Sequence, residues 1–296
     1  MAFLFAHFIG EQPDGEQVYF SVSQDGLHWI DLYDGKPVLK SKIGACGVRD
    51  PFIVKHPGTG RYYLMSTDLR IASGITWQQA KAESSRDIIV WKSDDLLHWS
   101  DPQACTVGAE GVGCVWAPEA IYDREKRQFF LFFASYVHVL DKLRIYGTFT
   151  SDFHVYSEPF VNLERERSVI DTTMIEINGK YYRISKNEIE CTLELEVSDS
   201  PYQHFTRIDS AVLRDLHGVE GPEIYPLPDG KSYCLIADQF IARKGYLPLI
   251  SDDLISGAFS ILPTDHYDFG QTHKRHGGVI FISDQEYRAL IQHFSA

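Results

Sequence analysis

One phrase recurs along this chain and governs what it can fold into. From Val169 to Lys186 the sequence reads V-I-D-T-T-M-I-E-I-N-G-K-Y-Y-R-I-S-K: an acid, a run of apolar and β-branched residues, Asn178-Gly179, then a second run. Asn-Gly supplies the positive φ angles of a two-residue turn, so the phrase is a β-hairpin. It returns as R-D-P-F-I-V-K from Arg49, W-A-P-E-A-I-Y-D from Trp116 and E-G-P-E-I-Y-P from Glu220, each followed by polar turn residues and an aromatic-rich second run. A shortened copy, R-H-G-G-V-I-F-I, begins at Arg275.

A second phrase alternates with the first, a Ser/Asp turn followed by an aromatic. It appears at Ser23–Trp29, Ser93–Trp99, Ser151–Tyr156, Ser198–Phe205 and Ser251–Phe259. The chain is therefore built from repeating units of about 50 to 70 residues, each worth roughly four strands, and sheets of that size bury their faces only by stacking on one another. Five such units predict an all-β, five-bladed β-propeller as a single domain over residues 1–296. The two strands near the N-terminus, Phe3 to Ile9 and Gln17 to Val22, lack an acid-headed partner. The strand from Gly278 to Ile282 supplies it, so the fifth blade is expected to mix N- and C-terminal strands and leave no open edge. Beyond it, Ser283 and Glu286 form a capping-box pattern, and Tyr287, Leu290, Ile291 and Phe294 recur on one face of a short C-terminal helix lying outside the propeller.

Composition narrows the function. The chain has 44% hydrophobic and 13% aromatic residues, ample for a core, and a net charge of -13. Without basic clusters, nucleic acid and anionic membrane are poor partners, and a neutral ligand suits the chain better. The five cysteines, Cys46, Cys105, Cys114, Cys191 and Cys234, lack metal-type spacing and read as reduced thiols. The apolar N-terminus has no basic leader region, so a cytoplasmic location is expected. Nothing here speaks to oligomeric state.

The inner strand of each blade lines the central channel, and the heads of these strands converge at one mouth. Asp50, Asp171 and Glu220 sit at the matching place on three of these heads; Trp116 and Glu119 come from a fourth blade, and Arg275 and His276 from the fifth. Asp and Pro are also ordinary turn residues, but three acids at one confined place are expensive unless they are used. Carboxylates on different blades across a channel are the apparatus of glycoside hydrolysis, one protonating the leaving oxygen while another activates water. The wide spacing natural to such a channel, roughly 6.5–9.5 Å, goes with inversion at the anomeric carbon. A third acid nearby would keep the proton donor protonated. Asp68, Glu119 and Lys186, close to the strand heads, are candidates for hydrogen bonds to sugar hydroxyls or equally for blade packing. Trp77, in the long Leu69–Arg86 insertion where a helical turn is expected, is either a sugar-stacking platform or a packing anchor.

R-D-P-F-I, W-A-P-E, V-I-D, V-E-G-P-E and R-H-G, in this order and over nearly the whole chain, resemble glycoside hydrolase family 43, whose members include α-L-arabinofuranosidases and β-D-xylosidases. The resemblance implies an inverting, exo-acting glycosidase that releases terminal arabinofuranosyl or xylosyl residues from plant-derived oligosaccharides. By the same resemblance Asp50 is general base, Asp171 modulator of acidity and Glu220 general acid, while Arg49, Asp68, Trp116, Glu119, Lys186, Arg275 and His276 are expected to contact substrate. The chemistry needs no cofactor. His276 matches a channel histidine that in many members helps hold calcium, implying a structural calcium there, although one imidazole is a thin ligand set for a cation that prefers oxygen. Arg49 departs from the pattern, since many members have Ala or His before the aspartate. A non-catalytic carbohydrate-binding propeller, a glycoside phosphorylase and a β-fructosidase are the alternatives. The first should have lost an acid, the second should show a basic phosphate site, and the third should carry an N-terminal nucleophile motif.

Overall fold

A computed structural model describes residues 1–294. The first strands are β1 (Ala2–Phe8), β2 (Tyr19–Ser23) and β3 (Trp29–Asp31), then β4 (Val48–Lys55), β5 (Tyr62–Asp68), β6 (Asp87–Ser93) and β7 (Gln103–Thr106). They are followed by β8 (Trp116–Asp123), β9 (Gln128–Val137), β10 (Lys142–Thr150) and β11 (Phe160–Leu163). Next come β12 (Val169–Ile177), β13 (Lys180–Asn187), β14 (Thr192–Ser198) and β15 (Thr206–Ile208). The last are β16 (Glu220–Pro226), β17 (Tyr233–Asp238), β18 (Tyr246–Ser251), β19 (Ser260–Ile261) and β20 (Arg275–Ile282). They form five four-stranded antiparallel sheets, one in the order β20-β1-β2-β3 and the others each from four consecutive strands. This is the five-bladed β-propeller expected from the repeat, and β20 pairs with β1 from Ala2↔Ile282 onward to close the ring.

The repeated phrases fold as their chemistry dictates. Asn178 and Gly179 take φ of 52° and 78°, joining β12 to β13 between paired Ile177 and Lys180. In the Ser/Asp turns the side chains capture the loop amides. Asp25 Oδ1 accepts from Leu27 and His28, Asp95 Oδ1 from Leu97 and His98, and Asp152 Oδ1 from His154 and Val155. Between blades the core is aromatic; Tyr63, Phe129 and Phe153, for instance, weld the first complete blade to the second. Trp29 and Trp99 both pack into hydrophobic clusters.

Of the three α-helices among the described residues, α1 (Trp77–Glu83) lies in the long insertion with Thr76 and Gln79 as capping box, and α2 (Ala211–Asp215) follows β15. The third, α3 (Asp284–Phe294), is capped as predicted: Ser283 N donates to Glu286 Oε2, and Glu286 N donates to Ser283 Oγ. Its Tyr287, Leu290, Ile291 and Phe294 pack on the cluster shared by the composite blade and its neighbour. Among the described residues no helix is long and apolar enough to cross a membrane.

Every inner strand is bulged near its head. The pairing register shifts between Arg49 and Phe52, Trp116 and Glu119, Ile170 and Thr172, and Glu220 and Glu223, while β1 shifts opposite His276. Asp50, Ala117, Asp171 and Gly221 occupy the bulges at φ of 50°, 46°, 44° and 52°. Aspartate tolerates this left-handed region better than most residues, yet each such non-glycine position costs about 1–3 kcal/mol and persists where the surroundings enforce it. The bulges correct one expectation. Asp50 and Asp171 are equivalent positions, but Glu220 stands one residue earlier, equivalent to Arg49, Trp116 and Ile170. The bulge in its blade is glycine because a Cβ on Gly221 would lie 2.7 Å from His276 Cγ.

Candidate active site

The strand heads floor a cavity of about 1220 Å³. Asp50, Asp171, Glu220, Arg49, Trp116, Lys186, Arg275 and His276 all line it, and Trp77, Phe240 and Ile241 come from loops around its mouth. Two predicted contact residues lie elsewhere. Asp68 is buried beneath Gly44, where its Oδ1 accepts from Ala45 N at 2.8 Å. Glu119 sits deeper in the channel, under His276, and is 2% exposed.

His276 organises the floor. Its Nδ1 is 3.5 Å from Asp50 Oδ1 and 3.9 Å from Asp171 Oδ1, and its Nε2 is 3.9 Å from Glu119 Oε1. Burial alone would make the imidazole less basic, but the three carboxylates outweigh it and hold its pKa well above the usual value. His276 is thus itself the cation of the channel. Among the described residues no group of three or more His, Cys, Asp or Glu side chains converges in a way that could hold a metal ion. A calcium ion does not fit this donor set, since both ring nitrogens already serve carboxylates and calcium would want oxygens alone.

Each aspartate is fixed by a backbone amide from the bulge of the next blade. For Asp171 the bond is direct, with Gly221 N donating to Oδ2 at 3.1 Å. For Asp50 it passes through Thr67, whose Oγ1 accepts from Ala117 N at 2.8 Å and donates to Asp50 Oδ2 at 2.8 Å. The amide thus orients the Thr67 hydroxyl, whose proton goes to Asp50. Burial pushes Asp50 upward, but His276, Arg49 and Thr67 together pull it below its ordinary value. Asp171 goes the other way, to about 6. Burial dominates, partly opposed by His276 and Lys186 and reinforced by the charges of Glu220 and Asp50.

Glu220 has a different setting. Lys186 Nζ donates to Oε2 at 3.0 Å and Arg275 Nη2 to Oε1 at 2.7 Å. Both cations carry further acids, Glu188 for Lys186 and Asp238 for Arg275, and both are held more basic than usual by those neighbours despite burial. Below the floor lie Glu119, Thr173 and Glu223, two residues past their bulges. Thr173 Oγ1 donates to Glu223 Oε2, and Val279 N to Glu223 Oε1. Burial pushes Glu119 to about 7, and burial with the Glu119 charge pushes Glu223 well above the carboxylate range.

Sequence reasoning missed Thr67, Asp238, Glu16, Glu188 and Glu223. Asp238 had a usable signal, since Y-C-L-I-A-D ends its strand as Y-Y-L-M-S-T-D ends β5. Thr67 had none, because its partner Ala117 is fifty residues away.

Comparison with known proteins identifies the family. Residues 1–288 match the family described as a probable glycosyl hydrolase domain related to glycoside hydrolase family 43. An α-L-arabinofuranosidase of Bifidobacterium longum is 29% identical over 203 residues, covering 61% of this chain but only 19% of that protein. The chain thus spans about a fifth of the length of this curated relative. Among solved structures, Penicillium chrysogenum α-L-arabinanase with arabinobiose superposes with a TM-score of 0.61 at 14% identity, covering 96% of this chain and 82% of that one. An endo-1,4-β-xylanase of Bacteroides thetaiotaomicron gives 0.60 at 16% identity, covering 93% of each. At such identities the structures share the fold. With three acids brought to one mouth by five bulged strands and the family matched over almost its full length, the chain belongs to the glycoside hydrolase family 43-related family.

Proposed function

We propose that the protein is an inverting, exo-acting glycosidase that releases terminal α-L-arabinofuranosyl residues from plant-derived oligosaccharides. Asp50 acts as base, Glu220 as acid and Asp171 as the positioning acid between them. The observation that carries this reading is that Asp50, Asp171 and Glu220 come from three different inner strands yet floor one cavity. Asp50, held ionised by Thr67 and His276, is suited to take the proton of a water attacking the anomeric carbon. Glu220 gives a proton to the leaving oxygen. Both its oxygens accept bonds from cations, and a sugar hydroxyl drawing Lys186 or Arg275 away would free one of them to share that proton as substrate binds. Asp171, near pH 6 in its titration, holds His276 and Gly221 N and adds negative charge beside Glu220. Arabinose is favoured over xylose by the name of the curated relative.

The test is proton NMR of the products from aryl α-L-arabinofuranoside and, separately, aryl β-D-xylopyranoside. Early appearance of β-L-arabinofuranose supports the reading. Retained configuration overturns the water-between-carboxylates mechanism. Faster cleavage of the xyloside reassigns the sugar, and cleavage of neither favours a binding-only propeller.

A further inference from the structure

Arg49, expected to touch substrate, lines the cavity, yet its side chain is only 6% exposed and its Nη1 is committed to Glu16. Its guanidinium carbon lies 4.5 Å from the Phe8 ring centroid and 4.9 Å from that of Trp77. Its Nη1 donates to Glu16 Oε1 at 2.9 Å. The carboxylate of Glu16 in turn accepts from Ile71 N at 2.8 Å and Ala72 N at 2.9 Å, at the root of the insertion that carries α1. One ion pair thus ties the strand of Asp50 to the loop bearing Trp77. The capping box of Thr76 and Gln79 fixes the helix start, and Trp116 meets the Trp77 ring edge-on at 6.2 Å and 88°.

An indole anchored in this way would ordinarily be buried, but Trp77 is 50% exposed. With Arg49 over one face, the free surface belongs to the rest of the ring, and Trp77, Gln78 and Lys81 of α1 all line the cavity. The cavity, about 1220 Å³, exceeds the roughly 300–1,000 Å³ typical of small-ligand pockets, so it has room for more than the one sugar that reaches the floor. A terminal sugar seated on the acids sends the remainder of its chain out past this rim. We propose that Trp77, supported from behind by Arg49, forms a second sugar subsite whose free indole surface stacks on the C–H face of the ring next to the scissile bond. The ligand is a neutral oligosaccharide, and the inference rests on the exo-glycosidase reading of the floor. An aromatic platform fixed before binding loses little entropy when the sugar arrives, which is what makes such a subsite effective.

The experiment has two arms. In the first, kcat/KM is measured for α-1,5-linked arabinotriose and for an aryl α-L-arabinofuranoside, in wild type, Trp77→Ala and Trp77→Phe. The ratio of trisaccharide to aryl glycoside should fall about tenfold in Trp77→Ala, mainly through KM, and recover largely in Trp77→Phe. An unchanged ratio overturns the subsite. In the second arm, arabinotriose binding is followed by calorimetry in Asp50→Asn with and without Trp77→Ala, where Kd should rise about tenfold and an unchanged Kd again overturns it. If wild type cleaves neither substrate, the hydrolase reading has failed, and the calorimetric arm still decides the subsite by itself.

Discussion

Asp50 and Glu220 stand on either side of β20, and adjacent residues of that strand serve them: His276 pairs with Asp50, and Arg275 with Glu220. Their settings are opposites. Asp50 sits inside a bulge at positive φ and is held by a threonine hydroxyl that a neighbouring amide locks in place. Glu220 precedes its bulge and is held by two long cationic side chains that have other acids to turn to. A base that must stay charged and aimed at one water gains from rigid, short-range partners. An acid that must take up and deliver a proton each turnover gains from partners that can leave. The lesson is that the two carboxylates differ less in residue type than in whether their partners can move.

Substitutions can break this contrast, beginning with the strongest. Asp50→Ala should lower kcat/KM on every substrate by about 10⁴-fold, the upper end for removing a general base; comparable residual activity on aryl and alkyl glycosides at a mild loss would end its assignment. Glu220→Ala should cost about 10²–10³-fold on oligosaccharides but tenfold or less on aryl glycosides whose leaving group needs no proton. Steady-state kinetics on paired substrates reads both, and an equal loss on the two classes in Glu220→Ala would remove it as the acid.

A finer test addresses the rigidity of Asp50. Thr67→Val keeps the shape but leaves Ala117 N and Asp50 Oδ2 without their partner. A hydrogen bond to a charged group is worth about 1.5–3 kcal/mol, so kcat should drop about ten- to a hundredfold. Losing a bond that favours the charged form also raises the pKa of Asp50, so the acidic limb of the pH–rate profile should move to higher pH. Thr67→Ser, which restores the hydroxyl, should return both; a limb that stays in place in the valine variant contradicts the role.

The last test lies beneath the floor and is read in stability. Glu119 titrates at about 7 in the folded protein against a reference of 4.5. A carboxyl whose folded pKa is raised favours folding below its unfolded pKa, and this contribution is lost as pH climbs through the folded one. Glu119→Gln removes the charge and should stabilise by on the order of 2–3 kcal/mol at pH 8, with the gain fading toward pH 5. Thermal melts across that range decide it, and a gain independent of pH would mean that burial of the charge is not the cause.

Much of this was legible in the chain itself. The fivefold phrase, with Asn178-Gly179 and the Ser/Asp turns, was enough for the blade count and for closure by β20, because turn chemistry and alternation are local. It also named the residues of the floor, since a repeat places equivalent heads at one end of a channel. It put Glu220 in register with Asp50 and Asp171, because a bulge shifts register without leaving a mark in composition, and for Asp68 it left open the packing role that the structure shows. For Arg49, expected at the substrate, the sequence carried no local sign of its contacts with Phe8, Glu16 and Trp77, which are distant along the chain.

What the sequence determined by itself, then, is the architecture and the identity of the acids, both fixed by short-range pattern repeated five times. Only the tertiary structure decided how each acid is held: an amide from the next blade reaching Asp171 directly and Asp50 through Thr67, His276 serving three carboxylates, and cations rather than a neighbouring acid occupying both oxygens of Glu220. Those are contacts between strands fifty or more residues apart in most cases, and the protonation state of a carboxyl depends on distances of a few ångströms that no spacing along the chain encodes.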